Sequence, residues 1–249
     1  MHRLNSLKVH FEKIGLFQTF FYLLQRIFLR KGHYIKLKIP GLENPVFLRN
    51  KYYDTHIFNQ IFIRDEVNFG YTNDPKIIVD CGANIGLSTL YFKRQFPNSH
   101  IISIEPEFSN FNLMKKNTKN YNKINCLHAA VWNQNTKVNV IDTGEGVASF
   151  ITKEVENTGN IIEQTNAFTL TEIISKFNIS FIDLVKMDIE GSEYELFDYK
   201  PEAWTERINM LALELHENLK PGVTKLIKSK MDGKFINYQV GEYCVFKRK

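Results

Sequence analysis

The chain has 249 residues, 43% hydrophobic and 24% charged, with 13 glycines and 7 prolines. That composition excludes a disordered chain, a collagen-like or low-complexity fibre and a small disulfide scaffold. The net charge of +5 is uneven: residues 1–38 carry eight bases and only Glu12 as an acid, a net +7 that leaves the remainder at −2. The basicity belongs to an N-terminal arm, and a nucleic-acid groove across the whole protein is not expected.

The arm comes first in chain order. From Ile14 to Leu29, eleven of sixteen residues are apolar, but Gln18, Gln25 and Arg26 interrupt a run already shorter than the ~20 residues of a membrane span. At ~100° per residue, Phe17, Phe21, Leu24 and Phe28 share one face of an amphipathic helix, with Gln18, Tyr22, Gln25 and Arg26 opposite. A cleaved secretory leader is not expected, because no small-residue cleavage site follows. Two uses stay open: the aromatic face packs onto the catalytic domain or a second copy, or residues 1–30 rest on an anionic membrane with Arg26, Arg30 and Lys31 beside the headgroups. Tyr34–Arg49 then reads as two short strands around Pro40-Gly41, and Tyr53–Phe69 as a helix.

From here strand and helix alternate. Lys76–Asp80, His100–Glu105 and Ile124–Val131 read as strands, with helices over Ile85–Phe96 and about Phe108–Asn120. An insertion between Thr136 and Thr165, holding Gly144 and Gly146, reads as hairpin and loop. Helical stretches near Thr171–Phe177 and Val223–Lys230 flank two further strands, Phe181–Asp188 and Met210–His216. Such alternation predicts a mostly parallel sheet with helices on both faces. The chain closes with Phe235–Val240 and Tyr243–Lys247 around Gly241-Glu242, an antiparallel hairpin. The expected division is an arm over residues 1–70 and a cofactor-binding domain over 71–249.

Cys81, Cys126 and Cys244 lie far apart in apolar runs with no metal spacing. They read as buried free thiols, consistent with a cytoplasmic protein, or with one held peripherally at the inner membrane face by its arm.

Chemistry should collect at the carboxyl ends of the parallel strands. The first motif is Val79-Asp80-Cys81-Gly82-Ala83-Asn84-Ile85-Gly86, where strand, glycine turn and helix follow directly and a ligand can approach the backbone at Gly82 and Gly86. It is neither G-x-G-x-x-G nor a P-loop. Asp80 at the strand end would repel a pyrophosphate but suit the ammonium of an amino-acid-bearing cofactor, which favours S-adenosyl-L-methionine (SAM) over a dinucleotide. The second motif, Ile101-Ile102-Ser103-Ile104-Glu105-Pro106, ends the next strand on a carboxylate that can accept both ribose hydroxyls. The third is Lys186-Met187-Asp188-Ile189-Glu190-Gly191-Ser192-Glu193, an acidic turn whose like charges raise pKa unless partners offset them. On the following strand, period 2 sends Glu214 and His216 to one face.

The segments VDCGANIG, SIEPEFSNF, AAVWN, LTEIISKFNISFIDLVKMDIEGSEYELF and LALELHE together resemble the FkbM family of SAM-dependent methyltransferases, over about Tyr53 to Glu217. The resemblance implies a class I methyltransferase fold: an α/β Rossmann-like sheet, mostly parallel, closed by the antiparallel hairpin and preceded by the helical arm. It implies O-methylation of a hydroxyl on a sugar, glycan or small-molecule acceptor. The expected cofactor contacts are Asp80, Gly82, Ala83, Asn84, Gly86, Glu105 and Ala130.

Transfer to a hydroxyl needs a nearby base and tight alignment. His216 is one candidate base, with an ordinary pKa of about 6.5. Asp188 is the rival, as base or as a group that positions the acceptor, and Glu190 completes the catalytic set. His216 can equally be a structural strand-end histidine. A hard cation among Asp188, Glu190, Glu214 and His216 is chemically allowed, but no metal is assigned. His56 is placed at the acceptor pocket, and Trp132 in core or rim packing. The competing functions are a binding module that has lost turnover and a methyltransferase acting on RNA or protein.

Overall fold

The computed structural model describes residues 2–51, 53–71, 73–142, 150–154 and 161–249, the side chains of 2–6 and 150–154 excepted. Gly144 and Gly146 of the expected insertion lie outside the described residues.

The centre is a seven-stranded sheet built from β3 (Ile77–Cys81), β4 (His100–Glu105), β5 (Ile124–His128), β10 (Ile182–Met187), β11 (Ile208–Glu214), β12 (Phe235–Val240) and β13 (Tyr243–Arg248). Its order is β12-β13-β11-β10-β3-β4-β5. The five strands from β11 to β5 are parallel, and the β12–β13 hairpin adds antiparallel to β11. The α/β architecture expected from the alternating pattern is therefore present, with its terminal hairpin.

Alternation along the buried strands distributes side chains between two cores. Ile78, Ile101, Leu184 and Met210 point to one face; Val79, Ile102, Val185 and Leu211 point to the other. A strand buried on both faces needs apolar residues at every position, which is why these segments read as continuous runs. The second face is covered by α6 (Leu170–Lys176), α7 (Glu193–Asp198) and α9 (Val223–Met231). The first is covered by α4 (Leu87–Gln95), α5 (Phe108–Thr118) and much of the N-terminal region.

That region contains α1 (His2–Ile14), α2 (Leu16–Phe28), the β1–β2 ribbon (Tyr34–Leu37 with Val46–Arg49) and α3 (Asp54–Phe58). Gly15, at φ 85°, breaks the arm into two helices. Ile14, Tyr22, Ile35, Leu48 and Phe58 join Ile78 and Leu90 in one core. The helix expected over Tyr53–Phe69 stops earlier. After α3 it runs as a π-helical turn, Asn59–Ile63, and Phe69 packs in the core beyond it. The expected strand Ile124–Val131 is divided into β5 and the short β6 (Ala130–Val131). The latter leaves the main sheet for a small four-stranded one with β7 (Thr136–Asp142), β8 (Phe150–Glu154) and β9 (Ile161–Phe168). A four-residue helix, α8 (Glu202–Thr205), links α7 to β11.

Cys81 and Cys244 are buried and Cys126 half-buried, all as free thiols. Among the described residues no helix is long and apolar enough to cross a membrane.

Candidate active site

β3 and β10 are neighbours, with β4 on one side and β11 on the other. In an open parallel sheet that reversal of order leaves a crevice at the carboxyl ends of the strands. A cavity of about 410 Å³ lies there, within the ~300–1,000 Å³ of ligand sites.

The loop after β3 forms one wall. Gly82 and Ala83 donate their N–H groups to the Ile104 carbonyl at 3.0 and 2.9 Å, so the turn is pinned to β4. Gly82 has φ +71°, and a Cβ there would stand 1.7 Å from the Asp188 carbonyl oxygen. Gly86 has φ +84°, and a Cβ there would stand 3.0 Å from Met114 Cγ. Both glycines are thus demanded by protein neighbours. The approach expected of a ligand at both is open only at the first: Gly82, Ala83 and Asn84 line the cavity, whereas Gly86 does not.

Glu105 closes β4 on the same cavity. Its Oε2 accepts the Asn84 N–H at 2.8 Å and its Oε1 the Glu107 N–H at 3.0 Å. Burial pushes its carboxyl up to about 7, against these two hydrogen bonds and with help from the nearby Glu107 charge. The Asn110 side chain hydrogen-bonds the same carboxyl. Ala130, with Ala129 and Val131, gives the cavity a small, apolar edge.

Asp80 stands behind the wall. It is fully buried, its Oδ2 accepts the Ser88 and Thr89 hydroxyls at 2.6 and 2.7 Å, and its Oδ1 lies 3.6 Å from Lys186 Nζ. The ammonium facing this acid in the structure belongs to the protein. Lys186 also donates to the Gly82 carbonyl at 2.8 Å and sits 3.6 Å from Asp188. Burial alone would lower its pKa, but the neighbouring acids Asp188, Asp80 and Glu214 act against that and raise it.

The acidic turn and the end of β11 meet on the far side of Lys186. His216 Nδ1 donates to the buried Glu193 at 3.0 Å, while Nε2 is 3.3 Å from Glu190, 3.8 Å from Glu214 and 3.9 Å from Asp188. Burial would lower the histidine's pKa, yet the Glu193 hydrogen bond and the surrounding carboxylates raise it to about 10. A protonated imidazole has no lone pair with which to accept a proton, so the surrounding acids weigh against His216 in the role of base. Glu190 and Glu214 are each raised to about 8, first by burial and then by the Asp188 charge, with His216 opposing. Asp188, Glu214 and His216 also offer ligand atoms within 4.8 Å of one another. The cations next to them, however, are the protein's own.

Tyr53 and His56 line the remaining side, their rings 4.7 Å apart. Arg49 fixes this segment through a two-pronged ion pair with the buried Asp54 and a 2.6 Å bond to Asn110 on α5. Trp132 is buried away from the cavity in the small sheet's own cluster.

Sequence reasoning assigned no role to Lys186, Glu193 or Tyr243. Period 2 places Lys186 and Asp188 on one side of their strand, a signal that was available. Tyr243 reaches the site because the hairpin register sets it opposite Glu214, and nothing local in the sequence encodes that.

The family model described as the methyltransferase FkbM domain matches residues 80–239. Methyltransferase 1 of Beauveria bassiana is 38% identical over 66 residues, 26% of each chain. The match thus spans about a quarter of that relative's length. Methyltransferase sdnD of Sordaria araneosa is 21% identical, covering 70% of this chain and 80% of its own. Among solved structures, a SAM-dependent methyltransferase from Agrobacterium tumefaciens aligns at a TM-score of 0.47 and 12% identity over 89% of this chain and 72% of that one.

Proposed function

The chain belongs to the FkbM methyltransferase family and is a SAM-dependent methyltransferase; on that premise we propose that it methylates a hydroxyl of a sugar, glycan or small-molecule acceptor. The observation that carries this reading is one cavity lined both by Glu105 with the Gly82–Asn84 loop and by the acidic cluster of Asp188, Glu190 and Glu214.

The residues present fit the cofactor. Glu105 is nearly buried yet lines the cavity, where its carboxylate can accept ribose hydroxyls, and the small residues at Ala129–Val131 leave room for a flat base. When bound, SAM supplies an electrophilic methyl on a sulfonium, and the carboxylates of the cluster favour that positive charge. Lys186 ties the loop to Asp80 and Asp188, so the two halves of the site keep one spacing.

Glu190 serves as the base in this proposal. It lines the cavity, and its raised pKa makes its carboxylate, once ionised, a stronger proton acceptor than an ordinary one. Asp188 orients the acceptor. His216 acts through them, as a fixed cation that keeps crowded carboxylates together. Tyr53 and His56 offer an aromatic wall of the kind sugar rings pack on.

Incubation with methyl-labelled SAM and a panel of glycans and hydroxylated small molecules tests the reading. Label in an alkali-stable methyl ether is expected. Label recovered only in RNA or protein, or SAM binding without transfer to any acceptor class, would overturn it.

A further inference from the structure

The arm is attached the opposite way from the packing expected of an amphipathic helix. α2 uses its polar side to hold the body: Gln25 exchanges hydrogen bonds with the Lys36 backbone (2.9 and 3.2 Å), and Gln18 accepts the Lys38 N–H at 3.1 Å. These amides satisfy the outer edge of β1. Between them Thr19 and Tyr22 are fully buried, Tyr22 lying 5.5 Å from the Phe58 ring. The aromatic side is left outside. Leu16, Phe17, Phe20, Phe21, Ile27 and Phe28 are all more than half exposed, with Phe17 at 76% and Phe28 at 77%.

Single exposed hydrophobics are ordinary, but a contiguous strip of six on one short helix marks an interaction surface. Charge identifies the partner. Residues 1–38 carry a net +7. Arg30 stands exposed just past the carboxyl end of the helix, and Arg26 on its polar side and Lys36 and Lys38 on the strand it docks against are exposed as well. Two copies meeting through this face would bring like charges together, whereas an anionic bilayer supplies the missing counter-charge. Thirteen residues make a helix of ~20 Å, too short to span a membrane, so the helix must lie in the interface plane.

We propose that α2 is an in-plane anchor that docks the protein on anionic lipid surfaces, with the phenylalanine strip among the acyl chains and the flanking cations at the headgroups. The inference does not depend on the acceptor or the catalytic assignments.

The test is flotation of the full chain with vesicles of phosphatidylcholine alone and of phosphatidylcholine with about 30% phosphatidylglycerol, at low salt and at about 0.5 M salt. Binding to the anionic vesicles only, lost largely at high salt, is expected. In F17S/F28S, partitioning should fall on the order of tenfold per phenylalanine removed. S-adenosylhomocysteine affinity should be unchanged, which shows that the variant is folded. No binding to anionic vesicles, equal binding to neutral ones, or a salt-stable dimer that F17S/F28S converts to monomer would each overturn the proposal, the last in favour of self-association.

Discussion

Glu105 offers a quantitative handle on the cofactor site. Its carboxyl is pushed from 4.5 to about 7 by burial, so the folded chain holds this proton more tightly than the unfolded one. The sign follows: for this group, stability is fully present below about pH 4.5 and declines as pH rises towards 7. At ~1.4 kcal/mol per pH unit the loss amounts to about 3 kcal/mol. A ligand that donates two ribose hydroxyls to the carboxylate selects the ionised form and reverses the trend. The ionised fraction rises about tenfold between pH 6 and pH 8, and S-adenosylhomocysteine affinity should rise by the same factor. Replacing Glu105 by Gln removes the charge, and its amide N–H₂ must face the N–H of Asn84 or of Glu107. Hydrogen bonds to charged groups are worth ~1.5–3 kcal/mol each, so E105Q should bind on the order of a hundredfold more weakly at pH 8. Isothermal titration calorimetry of both proteins at pH 6, 7 and 8 reads the two effects. The difference between the profiles isolates Glu105 from the cluster around His216. Affinity of E105Q within threefold of wild type, or an identical pH slope in both proteins, would refute the ribose assignment.

Gly82→Ala places a methyl group against the Asp188 carbonyl at a left-handed φ and should cost about 3 kcal/mol or more in urea unfolding; a loss below ~1 kcal/mol contradicts the close approach. His216→Asn removes the cation that holds Glu190's pKa down, so the acidic limb of the transfer rate should move to higher pH while S-adenosylhomocysteine affinity holds. An unmoved limb takes Glu190 out of the base role. Dialysis against EDTA should leave transfer intact, because Lys186 and His216 already neutralise the acidic turn; loss restored by Mg²⁺ would establish a metal there.

The cavity wall made by the glycine loop and Glu105 was readable because its parts are local. An apolar strand, a glycine turn and a helix follow one another in VDCGANIG, and Glu105 ends the next strand in register with it. Even so, the partner of Asp80 was decided only on folding. A buried acid requires a cation, and the one it met was Lys186, 106 positions away in sequence and one strand away in the sheet. His216 shows the same limit. Its ordinary pKa made it a candidate base, but the Glu193 hydrogen bond and the charges of Glu193, Asp188 and Glu190 raise that pKa.

The arm separates pattern from placement most clearly. Periodicity identified the two faces of α2 correctly but left open whether the aromatic one packs inward or faces a membrane. The exposed edge of β1 turned it outward, since backbone groups left unpaired at an edge take whatever amides are in reach, and Gln18 and Gln25 lie on the opposite side. Composition and periodicity therefore determined which elements form, which strands are buried on both faces and where the glycine turn and its carboxylate lie, because those depend on neighbours in sequence. Which face the arm presents to solvent, which ammonium answers Asp80 and which acid can take a proton were decided only when distant segments met. Burial and charge act through space, and the chain order does not record those distances.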